Sequence, residues 1–91
     1  MRVAVAGAGF SGAVIARRLA EAGHHATVFE TRDHLAGNCY TERDADTQVM
    51  VHRYGPHIFH TGDERVWAYI IQFGTMMDYN HRVRTTVGGR V

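Results

Sequence analysis

Gly7-Ala8-Gly9-Phe10-Ser11-Gly12 sets three glycines at the spacing G-x-G-x-x-G, and a carboxylate, Glu30, follows further along. That combination suits one kind of chemistry, the seating of a pyrophosphate and its ribose. Gly7 permits a tight turn, Gly9 lets the backbone approach the phosphates closely, and Gly12 lets a helix lie close on a strand. Phe10 and Ser11 belong to the same motif, which leads into a helix, and a helix N-terminus offers free N–H groups and the positive end of a dipole. Glu30 would accept hydrogen bonds from ribose hydroxyls and disfavour a 2′-phosphate by like-charge repulsion, an argument that Arg32 nearby weakens slightly. The plainer alternative is a glycine-rich turn with an incidental surface glutamate.

The flanking elements favour the first reading. Val3-Ala4-Val5-Ala6 looks like a buried parallel strand that stops at Gly7. The stretch 13–22 holds strong helix formers, with Val14, Ile15, Arg18, Leu19 and Ala22 at helical spacing and Gly23 placed to end the helix. Ala26-Thr27-Val28-Phe29 is a second strand, ending on Glu30. Strand, turn, helix and parallel strand form a βαβ unit. The fold class is therefore α/β: a truncated Rossmann-like FAD/NAD(P)-binding βαβ domain with an additional strand and helix.

The remainder is read more coarsely. Residues 31–47 read as loop with one helical turn, and Val49-Met50-Val51-His52 as a strand. Tyr54-Gly55-Pro56-His57 reads as a turn. Thr61 and Glu64 fit a capping box opening a helix with Val66, Trp67, Ile70 and Phe73 on one stripe, which Gly74 ends. Residues 81–87 alternate like a strand, and Gly88-Gly89 is a hairpin turn signal. A returning strand is expected after it, so the chain is expected to be the N-terminal part, 1–91, of a longer protein.

Several classes are disfavoured by composition. The formal charge of +1 and ten scattered arginines make no nucleic-acid or membrane-surface footprint. Cys39, the single cysteine, has no evident activating partner and forms no internal disulfide. His57 and His60 lack a third ligand and make a poor metal site, so no metal is expected. No signal peptide or membrane span is visible, which makes the cytoplasm the default.

The fingerprint alone does not separate FAD from NAD. The stretch 32–40, Arg-Asp-His-Leu-Ala-Gly-Asn-Cys-Tyr, and the stretch 54–61, Tyr-Gly-Pro-His-Ile-Phe-His-Thr, closely resemble the UDP-galactopyranose mutase family, as do Trp67, Tyr69 and the stretch 79–83. One departure is Ala36, where the family usually has a second glycine. The resemblance implies a flavin-dependent isomerase that interconverts UDP-galactopyranose and UDP-galactofuranose, with reduced-flavin N5 attacking the anomeric carbon. It implies reduced FAD as cofactor, UDP-galactose as substrate, a role in cell-wall biosynthesis and a homodimer at full length. Carried over residue by residue, it adds Ser11, Glu30, Arg32, Gly37 and Asn38 to the cofactor site. It adds Gly55 to the cofactor site and brings His57 and Ile58 close to the isoalloxazine, with His57 as the catalytic candidate, and places His81 near the nucleotide-sugar. The competing readings are an FAD-dependent amine oxidase-like oxidoreductase and a non-catalytic ADP/FAD-binding remnant.

Overall fold

The computed structural model describes residues 1–90. The chain divides into two compact units, Met1–His57 and Ile58–Val91.

The first unit is built on β1 (Arg2–Ala6), α1 (Phe10–Glu21) and β2 (His25–Phe29). The two strands pair in parallel, Val3 opposite Ala26 and Val5 opposite Val28, and α1 packs on both. Val5 is buried beneath the helix, as is Ala8 in the turn that follows. Ala4 and Ala6, on the other face of the strand, are exposed, and so is Phe29 at 63%. The expectation of a buried strand therefore holds for one face only, because a single helix covers one side of a sheet. The helix opens at Phe10, inside the glycine motif and earlier than residue 13. It closes as expected, in a Schellman arrangement: Gly23 takes φ +81, its amide donates to Ala20 O, and the His24 amide donates to Leu19 O.

Beyond β2 the loop folds back on the glycine motif. The Ala36 amide donates to Ala8 O at 2.9 Å, and a 3₁₀ turn covers Gly37–Cys39. Ala36 itself sits at φ 76, ψ −4. A Cβ in this left-handed region meets its own backbone, costing about 1–2 kcal/mol. Ala36→Gly should raise stability by roughly 0.5–1 kcal/mol, strain relief outweighing the added unfolded-state entropy. Ala20→Gly on the exposed side of α1 should instead cost about 1 kcal/mol. Urea midpoints at constant slope check both.

A strand not expected from the sequence follows. β3 (Thr41–Arg43) pairs antiparallel with β4 (Met50–His52), Thr41 opposite His52 and Arg43 opposite Met50. Asp44 organises the connection. Its Oδ1 accepts from the amides of Asp46 and Thr47 and from the Thr47 hydroxyl, holding its carboxyl below the usual carboxylate range. An Arg53–Glu42 ion pair at 2.6 Å spans the hairpin base.

In the second unit, α2 (Glu64–Ile70) is capped by Asp63, which accepts from the amides of Arg65 and Val66. Thr61 is therefore not the N-cap; its hydroxyl instead accepts from the Asp63 amide at 3.1 Å. The helix stops at Ile70, before Gly74, with Ile71 as its C-cap. Of the expected apolar stripe, Ile70 is buried, whereas Val66 and Trp67 are 42% exposed. Residues 81–86 form no strand, since alternation alone supplies no hydrogen-bonding partner. The hairpin turn does form: Gly88 and Gly89 take φ +57 and +75, and Val87 and Arg90 exchange backbone bonds at 2.9 and 3.1 Å. No helix among the described residues is long and apolar enough to cross a membrane.

Candidate functional site: a dinucleotide cradle

The site is assembled where β1 ends. Gly7, at φ +91, turns the chain sharply, and its amide donates to Phe29 O at 2.7 Å. This ties the turn to the end of β2. Gly9 then serves as N-cap of α1 with φ −75 and ψ −172, and offers no side chain to the helix. No acidic residue lies in the first helical turn, and no side chain caps its amides. Gly12 is buried over Gly7, where an added Cβ would stand 1.9 Å from the Gly7 carbonyl oxygen.

Glu30 closes the cradle from the side. Its Oε2 accepts from the Ala8 amide at 2.7 Å, and its Oε1 accepts from the Arg32 amide at 3.0 Å and the Thr31 hydroxyl at 3.3 Å. The amides of Arg32 and Ala8 hold the carboxyl well below its ordinary 4.5, at about 2. Glu30 is thus ionised and acceptor-only near neutrality. Oε2 accepts from a single amide and keeps a lone pair for a ribose hydroxyl. A carboxylate with a depressed folded-state pKa stabilises above its unfolded pKa and loses that contribution as the pH falls through the folded one. The stability that the Ala8–Glu30 tie contributes should therefore decline between pH 4.5 and about 2. In an NMR titration the Ala8 amide should report a midpoint near pH 2, not 4.5. Glu30→Gln should abolish that transition.

The loop after β2 packs on the same turn. A Cβ on Gly37 would lie 3.0 Å from Gly9 Cα, so the 3₁₀ turn carrying Asn38 runs directly against the glycine motif. Gly7, Gly9, Gly12, Glu30 and Gly37 are thus gathered at one place, with Phe10 and Ser11 exposed on the opening turn of α1. This geometry fits a dinucleotide: a close backbone approach, uncapped helix amides, and an ionised carboxylate beside them.

The other expected residues are placed separately. Gly55 adopts φ +93 in the turn after the hairpin. His57 is half-buried, 4.7 Å from the His52 ring between centroids, and its Nε2 is buried without a hydrogen-bond partner. Ile58 and His81 belong to the second unit, where the ring of His81 lies 6.1 Å from that of Tyr79. Among the described residues no group of three or more His, Cys, Asp or Glu side chains is arranged to hold a metal.

Sequence reasoning missed one feature altogether. His34, Tyr40 and Tyr54 cluster: the His34 ring stacks on Tyr40 at 3.9 Å, and its Nε2 lies 2.7 Å from the Tyr54 hydroxyl. The signal was the hairpin. With Thr41 opposite His52, Tyr40 and Tyr54 are brought to the same end of it, but β3 is too short to show by pattern.

The comparisons with known proteins agree with this geometry. A family model described as an NAD(P)-binding Rossmann-like domain matches residues 5–73. A probable UDP-galactopyranose mutase of Klebsiella pneumoniae is 55% identical over 89 residues, which is 98% of this chain and 23% of that protein. A dTDP-fucopyranose mutase of Escherichia coli is 46% identical over 99% of the chain and 24% of its own length. A 15-cis-phytoene desaturase of Synechococcus elongatus is 46% identical over 65% of the chain and 12% of its own length. The chain spans about a quarter of the length of the mutases it matches, and it matches their N-terminal portion. By this match and this architecture the chain belongs to the NAD(P)-binding Rossmann-like domain family, and it is similar to the N-terminal part of the sugar-nucleotide mutases.

Proposed function

We propose that this chain is the ADP-holding part of an FAD-dependent UDP-galactopyranose mutase, an isomerase that interconverts UDP-galactopyranose and UDP-galactofuranose. The observation that carries the proposal is the ionised Glu30 locked to the Ala8 amide beside an uncapped helix N-terminus. The 55% identity to the Klebsiella protein supports the choice of substrate. In this reading Gly7, Gly9 and Gly12 admit the pyrophosphate, the amides of Phe10 and Ser11 face it, and Glu30 receives the ribose hydroxyls. Arg32, Gly37 and Asn38 line the same side. FAD, when bound in its reduced form, supplies a nucleophilic nitrogen for the anomeric carbon. Gly55, His57 and Ile58 are assigned to the flavin end, and His81 to the nucleotide-sugar. The full-length protein works as a cytoplasmic homodimer, and the substrate clamp lies outside residues 1–91.

The test is turnover by the full-length protein with dithionite-reduced FAD, offered UDP-galactofuranose or the dTDP-fucose furanose in parallel. UDP-galactofuranose should be converted, and only after reduction. Preference for the dTDP sugar would move the substrate assignment to the other mutase. Conversion of neither, with flavin reduced by an amine or a carotenoid precursor, would favour an oxidoreductase. The match to the desaturase is the observation that keeps this second reading open.

A further inference from the structure

The cluster behind the cradle ends on the charge of Arg32. The Arg32 guanidinium carbon lies 4.3 Å from the centroid of the Tyr54 ring. Arg32 is exposed, and no carboxylate among the described residues forms an ion pair with it. Its own amide donates to Glu30 Oε1, so its side chain departs from the point where the ribose would be held. The Tyr54 ring is fixed in turn. Its hydroxyl lies 2.7 Å from His34 Nε2, while His34 Nδ1 lies 2.8 Å from Leu35 O. A carbonyl only accepts, so Nδ1 carries the proton and, in the neutral ring, Nε2 accepts from the phenol. Stacking on Tyr40 at 3.9 Å holds the imidazole plane.

We infer that Tyr54 is a positioning residue that lays the Arg32 guanidinium flat beside Glu30 as a platform for the purine base of the dinucleotide. A guanidinium carried on an aromatic face has its second face free to stack, and a purine presents a matching π-surface. The order Tyr40–His34–Tyr54–Arg32 is then a rigid support running from the hairpin to the adenine end. The inference rests on the dinucleotide reading above and specifies how its base would be held.

The experiment measures the affinity of the chain for ADP and for inorganic pyrophosphate by calorimetry, in wild type, Tyr54→Leu and Tyr54→Phe. Tyr54→Leu removes the ring beneath Arg32 and should weaken ADP by about fivefold, the scale of an exposed cation–π contact. It should leave pyrophosphate unchanged within about twofold, because the glycine turn is untouched. Tyr54→Phe keeps the ring and should restore ADP affinity to within about twofold of wild type. Equal ADP affinity in wild type and Tyr54→Leu overturns the inference. So does a parallel loss of ADP and pyrophosphate, which would mark Tyr54 as merely structural. Wild type binding neither probe is a separate outcome, in which the dinucleotide reading fails and takes the platform with it.

Discussion

Replacing Gly12 by alanine is expected to cost about 3 kcal/mol or more of stability, a large share of what a domain of this size holds. The new Cβ would fall 1.9 Å from the Gly7 carbonyl oxygen and 3.0 Å from its carbon. The obstacle is backbone, not the movable end of a side chain, so α1 must lift from β1 or the Gly7 turn must open. Either movement uncovers Val5, one of the few buried apolar residues of the unit. Gly9→Ala is the matched control. Its Cβ would meet Gly37 Cα at an ordinary 3.8 Å, and φ −75 suits alanine. That variant should stay within about 1 kcal/mol of wild type, the usual range for a cap position. It should still weaken ADP by about tenfold, because the methyl occupies the path by which phosphate approaches the backbone. Urea unfolding and calorimetry together separate the two glycines. A Gly12→Ala protein as stable as wild type would show that helix and strand are not closely packed there.

The second large effect concerns His57 in the full-length protein. Its Nε2 is buried and unpartnered, and such a group costs about 1–3 kcal/mol unless a partner arrives. A bound flavin edge or substrate is the partner expected under the mutase reading. Gly55 at φ +93 and Pro56 fix the backbone that delivers the residue. His57→Ala should lower turnover by about 100-fold through misplacement at the reacting centre while FAD content stays near that of wild type. His60→Ala should do less. FAD content is read by absorbance after gel filtration, and turnover on fully reduced enzyme. Unchanged turnover with intact FAD would remove His57 from the mechanism.

How much of this was legible in the sequence depended on how local each feature is. β1, the glycine turn, α1 and β2 are specified by short-range pattern, and the structure places all of them with Glu30 at the end. The strand Thr41–Arg43 was not legible, because Thr-Glu-Arg has no apolar alternation and becomes a strand only by pairing with Met50–His52. The cap of α2 illustrates competition between neighbours: both Thr61 and Asp63 can cap, and the nearer carboxylate accepts two helix amides. Residues 81–86 carry a strand-like alternation but meet no partner among the described residues, and pattern without pairing gave no strand. At the site, residue type located the cradle, but the wiring was invisible. Nothing in the spacing announces that Glu30 would bond the Ala8 amide or that Ala36 would take a left-handed conformation to bring Gly37 against Gly9.

The most direct test of the cradle is an ADP titration of the isotope-labelled chain, following backbone amide resonances. The account predicts saturable shifts largest at Ala8 to Gly12, at Glu30 to Arg32 and at Gly37 to Asn38, all of them lost in Glu30→Ala at the same ADP concentration. Absence of a saturable response, or shifts centred elsewhere and unaffected by Glu30→Ala, would contradict it.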